Sequence, residues 1–107
     1  MYHIILHTIK DTRYMKFNLK TIDIIESDIV IPLLKHEEIE FFGKPISRHD
    51  VEFIRIYQSE YTMSEISDDF DISHPEETFY TDSMKLFRTP LAHEITKETF
   101  LEARKDI

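Results

Sequence analysis

Residues 31–60, IPLLKHEEIEFFGKPISRHDVEFIRIYQSE, decide how the rest of the chain is read. They hold two dense apolar runs and Gly43, the only glycine in the protein. Apolar and β-branched residues predict one strand over 38–42 and a second over 52–58. Gly43 is free to take the positive φ that a turn between apolar strands demands, which places the turn at Gly43-Lys44-Pro45. Ser47 followed by Asp50 has capping-box spacing, with Asp in place of Glu or Gln, so a short helical turn opens at Ser47. In the second strand Ile54 and Ile56 share one face, and Phe53, Arg55 and Tyr57 share the other.

Towards the N-terminus, residues 2–9 alternate and are rich in Ile, which predicts a strand with faces Tyr2, Ile4, Leu6, Thr8 and His3, Ile5, His7, Ile9. Lys10-Asp11-Thr12 reads as a hairpin turn. Residues 13–20 then set Met15, Phe17 and Leu19 against Tyr14, Lys16, Asn18 and Lys20, a strand with one wet face as an antiparallel sheet allows. Thr21 reads as a helix N-cap, and Ile22, Ile25, Ile29 and Leu33 recur at helical spacing. Pro32 is expected to stop or kink that helix near Val30. The β-branched run 28–31 leaves a strand as the alternative there.

Towards the C-terminus, Thr62-Met63-Ser64-Glu65 is a capping box and predicts a short helix reaching towards Phe70. From 68 to 82 the polarity, Pro75 and the density of acids predict a mobile loop. Residues 84–88 read as a last short strand, Thr89-Pro90 as a turn, and Thr96 as the cap of a helix reaching Lys105. With Phe100, Leu101 and Ala103 as its apolar interior, that helix is expected to dock loosely or to lead into something else. The fold class is α+β, a small antiparallel or mixed sheet of four to five strands with one main helix packed on it, in a single domain over 1–107. Its expected core is Ile4, Leu6, Phe17, Leu19, Ile25, Ile29, Leu33, Phe41, Ile54 and Ile56.

The net charge of −8 is unevenly placed. Glu60, Glu65, Asp68, Asp69, Asp71, Glu76, Glu77 and Asp82 fall within 60–82, where there is no Lys or Arg, and the other 13 acids are balanced by all 13 basic residues. With no phosphate-neutralising surplus, direct binding to nucleic acid is not the expected role. Absence of cysteine removes disulfides, thiolate zinc sites and cysteine nucleophiles. The apolar run 29–34 is broken by Pro32 and far shorter than the roughly 18 residues of a membrane span. The first residues, MYHIILHTIK, lack a basic n-region and a small-residue cleavage site, so a cytoplasmic protein that does not engage membranes is expected.

Motifs for chemistry are incomplete. His3 and His7 share a strand face but lie roughly 13 Å apart, too far to ligate one metal. His36-Glu37 and His93-Glu94 each open like H-E-x-x-H, but Glu40 and Lys97 stand where the second His is required. Asp69, Asp71 and Ser73 have the 1-3-5 spacing of a calcium loop, yet His74 replaces its glycine and Tyr80 its closing Glu. Neither a nucleophile elbow nor a phosphate-cradling glycine loop is present. No catalytic residue, metal or cofactor is therefore expected. Lys44, Arg48 and Arg55 read as a cluster near the central turn, either a small anion-binding patch or, in preference, a solubilising rim.

The run FFGKPISRHDVEFIRIYQSE resembles a small N-terminal domain of bacterial defence proteins whose C-terminal part is a TIR-like or nucleotide-binding effector. The matching positions are Pro32, Leu33, Phe41, Phe42, Gly43, Ile46, Asp50, Val51, Ile54 and Ile56. Residues 94–100, EITKETF, are similar to the segment that closes such domains, whereas the acidic stretch 60–82 has no counterpart in them. The resemblance implies an antiphage-defence setting in which the module senses, tethers or regulates through protein contacts, for example with a defence effector. The alternative is an acidic inhibitor that imitates nucleic-acid charge and blocks a basic DNA- or RNA-binding protein. The first reading assigns partner binding to Lys44, Arg48 and Tyr57, and the second to Asp68, Asp69, Asp71, Glu76 and Glu77. An enzyme, such as a small nuclease, ranks last because no site supports it.

Overall fold

β1 (Tyr2–Thr8) is the strand on which both halves of the fold are packed, and His3 to Thr8 are all buried. In the computed structural model, which describes residues 1–76 and 79–107, it pairs with β2 (Arg13–Leu19) on one side and β5 (Val51–Ser59) on the other. A short β6 (Ala92–Glu94) completes an antiparallel sheet of order β2-β1-β5-β6. β3 (Ile39–Phe41) and β4 (Lys44–Ile46) form a separate hairpin. The helical parts are α1 (23–34), α2 (Met63–Ser73), α3 (Asp82–Arg88) and α4 (Thr96–Arg104). The fold is α+β.

Period-two alternation along β1 sends Ile4 and Leu6 to one face of the sheet and His3, Ile5 and His7 to the other. Across the ladder Ile4 lies opposite Ile56 and Leu6 opposite Ile54, while His3 faces Tyr57 and Ile5 faces Arg55. The face division expected for β5 is therefore the observed one. β2 departs from expectation. Its register shifts by one residue between Tyr2 and Ile4, and Asn18 takes φ 64° there. Asn tolerates that left-handed conformation better than most residues, and the extra residue of a bulge reverses the alternation beyond it. Phe17 consequently packs with Ile5 and Tyr57, while Leu19 packs with Ile4 on the opposite face.

One face is covered by α1, the β3-β4 hairpin and α4. Ile25, Ile29, Val30, Ile39, Phe41, Ile46 and Ala103 join Ile4, Leu6 and Ile56 in this core, with Leu19, Leu33 and Ile54 half-buried against it. Helix α1 neither starts at a Thr21 cap nor stops before Pro32. Its N-cap is Ile22, without a side-chain bond, and a π turn over Glu26–Val30 leads into the last segment, Ile31–Leu34. A π turn widens the backbone, making room for a ring that would otherwise collide with the carbonyl four residues back. The helix ends where His36 takes φ 59°, with the His36 amide donating to the Leu33 carbonyl (3.2 Å) and the Glu37 amide to the Pro32 carbonyl (2.8 Å). This is a Schellman ending with His in the position glycine usually holds.

The turn after β3 does not lead to the strand over 52–58 as expected: the chain first pairs back on itself through β4, and the turn is tighter than the expected Gly43-Lys44-Pro45. Phe41 pairs with Lys44, leaving Phe42 (φ 48°) and Gly43 (φ 88°) as a two-residue loop with both φ positive, the type I′ geometry that suits strand twist. Lys44 and Pro45 thus belong to β4, a two-stranded edge where a missing N–H is tolerated. The expected capping box at Ser47 is not formed: the 3₁₀ turn Arg48–Asp50 has no side-chain cap, and Glu38 instead accepts the Arg48 amide at 3.0 Å. Thr96 likewise is not a cap. Its hydroxyl accepts the Ile56 amide at 2.8 Å and donates to Glu94 at 2.9 Å, tying the start of α4 to the sheet. Thr99 and Ala103 are buried beneath that helix, which docks more firmly than its composition suggests.

The other face is covered by α2 and α3, so the expected single main helix is one of two helical layers. Met63, Ile66 and Leu86 pack on Ile5 and Tyr57, and Phe70 is buried between His74 (centroids 4.1 Å) and Tyr80 (5.2 Å). The capping box of Thr62 and Glu65 is complete, with the Glu65 amide donating to the Thr62 hydroxyl at 3.2 Å and Glu65 accepting the Thr62 amide at 3.0 Å. Two expectations fail here. The helix continues past Asp68 to Ser73, so only 74–76 and 79–81 of the expected loop over 68–82 are irregular among the described residues, because Phe70 extends the Met63–Ile66 stripe and is buried. Residues 84–88 are helical and not a strand, because Thr81 accepts the Met84 amide as an N-cap and Asp82 follows in the first turn.

Candidate interaction surface

At 3.6 residues per turn, Met63, Ile66 and Phe70 point α2 into the sheet. Glu65, Asp68, Asp69 and Ile72, spaced i, i+3, i+4 and i+7, fall on the opposite side and are exposed. Ile72 is 79% exposed in line with those acids, and Phe79, beyond the end of the helix, is 92% exposed. Glu76 is also exposed. Among the described residues, Asp68, Asp69 and Glu76 make no ion pair. The Glu65 carboxyl is held below the usual carboxylate range, first by the Thr62 amide it accepts and then by the Thr62 hydroxyl. It stays ionised as part of this acidic face.

Asp71 belongs to a different construction. It reaches sideways to α3, where its carboxylate lies 2.8 Å from Nζ of Lys85, and the same ammonium donates to Ser67 at 2.8 Å. Lys85 is buried, so Asp71 and Ser67 supply the partners its charge requires there. Asp71 is a strut between helices and not part of the free acidic face. Glu77, also named from the sequence, lies outside the described residues.

The basic residues are not brought together. Lys44 sits on the hairpin with its ammonium 4.7 Å from the centre of the Tyr14 ring, and Arg48 is in the following 3₁₀ turn. Arg55 lies on the opposite face of the sheet, its guanidinium 4.6 Å from the Phe87 ring and 5.3 Å from Phe53, paired with Glu94 at 3.4 Å. Tyr57 shares that opposite face and is buried, with its phenol pushed up to about 12 by burial and then by the charge of Glu94. Lys44, Arg48 and Tyr57 therefore do not make one surface.

Two buried histidines carry contacts the sequence did not disclose. His7 stacks on Phe53 (4.9 Å, 13°), with Glu52 at 2.8 Å from Nδ1 and Asp11 at 3.0 Å from Nε2. His3 is held by backbone groups on both ring nitrogens. Among the described residues no three or more His, Asp or Glu side chains converge where they could hold a metal ion, and no helix is long and apolar enough to cross a membrane. The exposed apolar pair Ile72 and Phe79 was legible in one respect: Ile72 falls off the Met63–Ile66–Phe70 stripe once the helix is extended.

Compared with known proteins, the chain matches no family model, no curated protein and no solved structure.

Proposed function

We propose that this chain is a non-enzymatic protein-interaction module whose docking face is the outer side of α2. The exposure of Ile72 in line with Glu65, Asp68 and Asp69, on a helix whose other side is fully seated, carries this reading. An exposed apolar residue rimmed by carboxylates with no cation among them has the make-up of an anchor within a charged rim. The complementary partner is a protein with a basic surface and an apolar recess. A setting in bacterial antiphage defence is supported by the resemblance around Gly43 and over 94–100. Mimicry of nucleic-acid charge is the second reading, favoured by the concentration of acids over 60–82, and it uses the same face.

Affinity capture from cells of the source organism tests this with three baits: the native chain, Asp68→Asn/Asp69→Asn/Ile72→Ser, and Lys44→Ala/Arg48→Ala. The expected result is a basic protein held stoichiometrically by the native and Lys44/Arg48 baits and lost from the α2 bait. The opposite pattern moves the docking face to the hairpin and overturns the assignment. Displacement of the captured protein by excess DNA or RNA distinguishes charge mimicry from a dedicated protein contact.

A further inference from the structure

His3 is wholly buried in β1, and its two ring nitrogens have fixed and opposite roles. The Asn18 amide nitrogen lies 3.1 Å from Nδ1, and an amide can only donate, so Nδ1 accepts. The Tyr61 carbonyl oxygen lies 3.1 Å from Nε2, and a carbonyl can only accept, so Nε2 carries the proton. One neutral tautomer satisfies both bonds. Asn18 is also the bulge residue of β2, and its side-chain oxygen accepts the amide of Met63, the first residue of α2, at 2.8 Å. The ring is thus tied to α2 along two routes, through Asn18 to Met63 and through Tyr61 just ahead of it.

We propose that His3 is a proton-operated latch on α2: neutral, it holds the β2 bulge and the start of α2 to the sheet, and protonated, it releases them while the opposite layer stays packed. A proton on Nδ1 would meet the Asn18 N–H donor to donor, cancelling one bond and leaving that amide without an acceptor. Among the described residues only the Tyr61 carbonyl favours the cation. Tyr57 faces it from β5, Phe17 from β2 at 6.0 Å, and the Tyr61 carbonyl from the 60–62 connection, while Met63 and Leu86 are the residues of α2 and α3 in that core. Among the described residues no carboxylate contacts the ring, and the N-terminal ammonium acts on it with like charge.

Burial accordingly holds the imidazole below its ordinary value of 6.5, an effect the N-terminal ammonium adds to and the Tyr61 bond partly offsets. A form in which the ring is released binds the proton more readily than the latched form. The latched form therefore loses stability as pH falls below 6.5, its equilibrium constant dropping about tenfold per pH unit until the seated ring itself titrates. The core of Ile4, Leu6, Ile29 and Ile56 on the other face has no part in these bonds, so opening is confined to one layer. The latch operates whatever the outer face of α2 binds.

Amide exchange measured residue by residue from pH 7.5 to 4.5, corrected for intrinsic rates, tests the latch in the native chain and in His3→Gln. Protection at Asn18, Met63 and Ile66 should fall below about pH 6.5, by up to about tenfold per pH unit until the seated ring itself titrates, while Ile4, Leu6 and Ile56 hold, and the step should vanish in His3→Gln with the other histidines intact. Should that variant not fold, the ring nitrogen shifts of His3 in the native chain decide: loss of the Nε2–H tautomer should track loss of α2 protection. Protonation of His3 without change at Asn18 and Met63, or an unchanged step in His3→Gln, overturns the proposal.

Discussion

Two isoleucines about one and two-thirds turns apart on α2 offer a sharp check on how the acidic segment is built. Ile66 is fully buried among Ile5, Tyr57, Met63 and Leu86, whereas Ile72 is 79% exposed. Ile66→Ala removes three buried carbons, about 2.4 kcal/mol at ~0.8 per methylene, and the neighbouring side chains can close only part of the cavity. The expected loss is about 3–4 kcal/mol. With a urea m value of about 2 kcal/mol/M, the unfolding midpoint should fall by roughly 1.5–2 M. Ile72→Ala should move it by less than about 0.3 M, since exposed substitutions cost within ~0.5 kcal/mol. Urea titration followed by circular dichroism reads both. Equal, small shifts in the two variants would refute a helix seated on its own core and restore a solvated loop.

Asp71→Asn should cost about 1–2 kcal/mol, discounted for the exposure of that carboxylate, because it strips the buried Lys85 ammonium of its counter-charge; Lys85→Met should be close to neutral by the same denaturation assay. Neutralising Asp68, Asp69 and Glu76 together should shift stability by less than about 0.5 kcal/mol, as none of them is paired among the described residues. Ile56→Ala, at a fully buried position, should cost about 2–5 kcal/mol, and Ile54→Ala less, because Ile54 is only half-buried. For Tyr57 the folded phenol ionises later than the unfolded one, so its contribution is present below pH 10 and lost as pH rises towards 12. Tyr57→Phe should remove the most alkaline step of the tyrosinate absorbance titration.

Strands 1, 2 and 5 were legible because their apolar residues alternate, and the turn at 43 because a lone glycine marks where positive φ is easily taken; the short strand Lys44–Ile46 that makes this turn a separate hairpin was not. The two faces of β5 followed from period two alone. The bulge at Asn18 was not legible, since one inserted residue leaves the local alternation intact and only the pairing partner exposes it. Nor was the survival of α1 through Pro32, which depends on a π turn that no residue type announces. The second helical layer was hidden by its acids. Asp68, Asp69 and Asp71 raise the polarity of 68–73 to that of a loop, while the burial of Phe70 and the Lys85 strut hold it helical. For the site, the acids were readable as a charge excess. Which of them stand free and which one braces a lysine is a property of the third dimension.

The claim that the outer face of α2 is the docking face is tested most directly by association kinetics with the protein the native chain captures, measured from 50 to 500 mM salt. For the native chain the rate constant should fall steeply with ionic strength. For Asp68→Asn/Asp69→Asn it should be slower and nearly flat, with Lys44→Ala/Arg48→Ala behaving as native. An association rate indifferent both to salt and to the loss of Asp68 and Asp69 would contradict that claim.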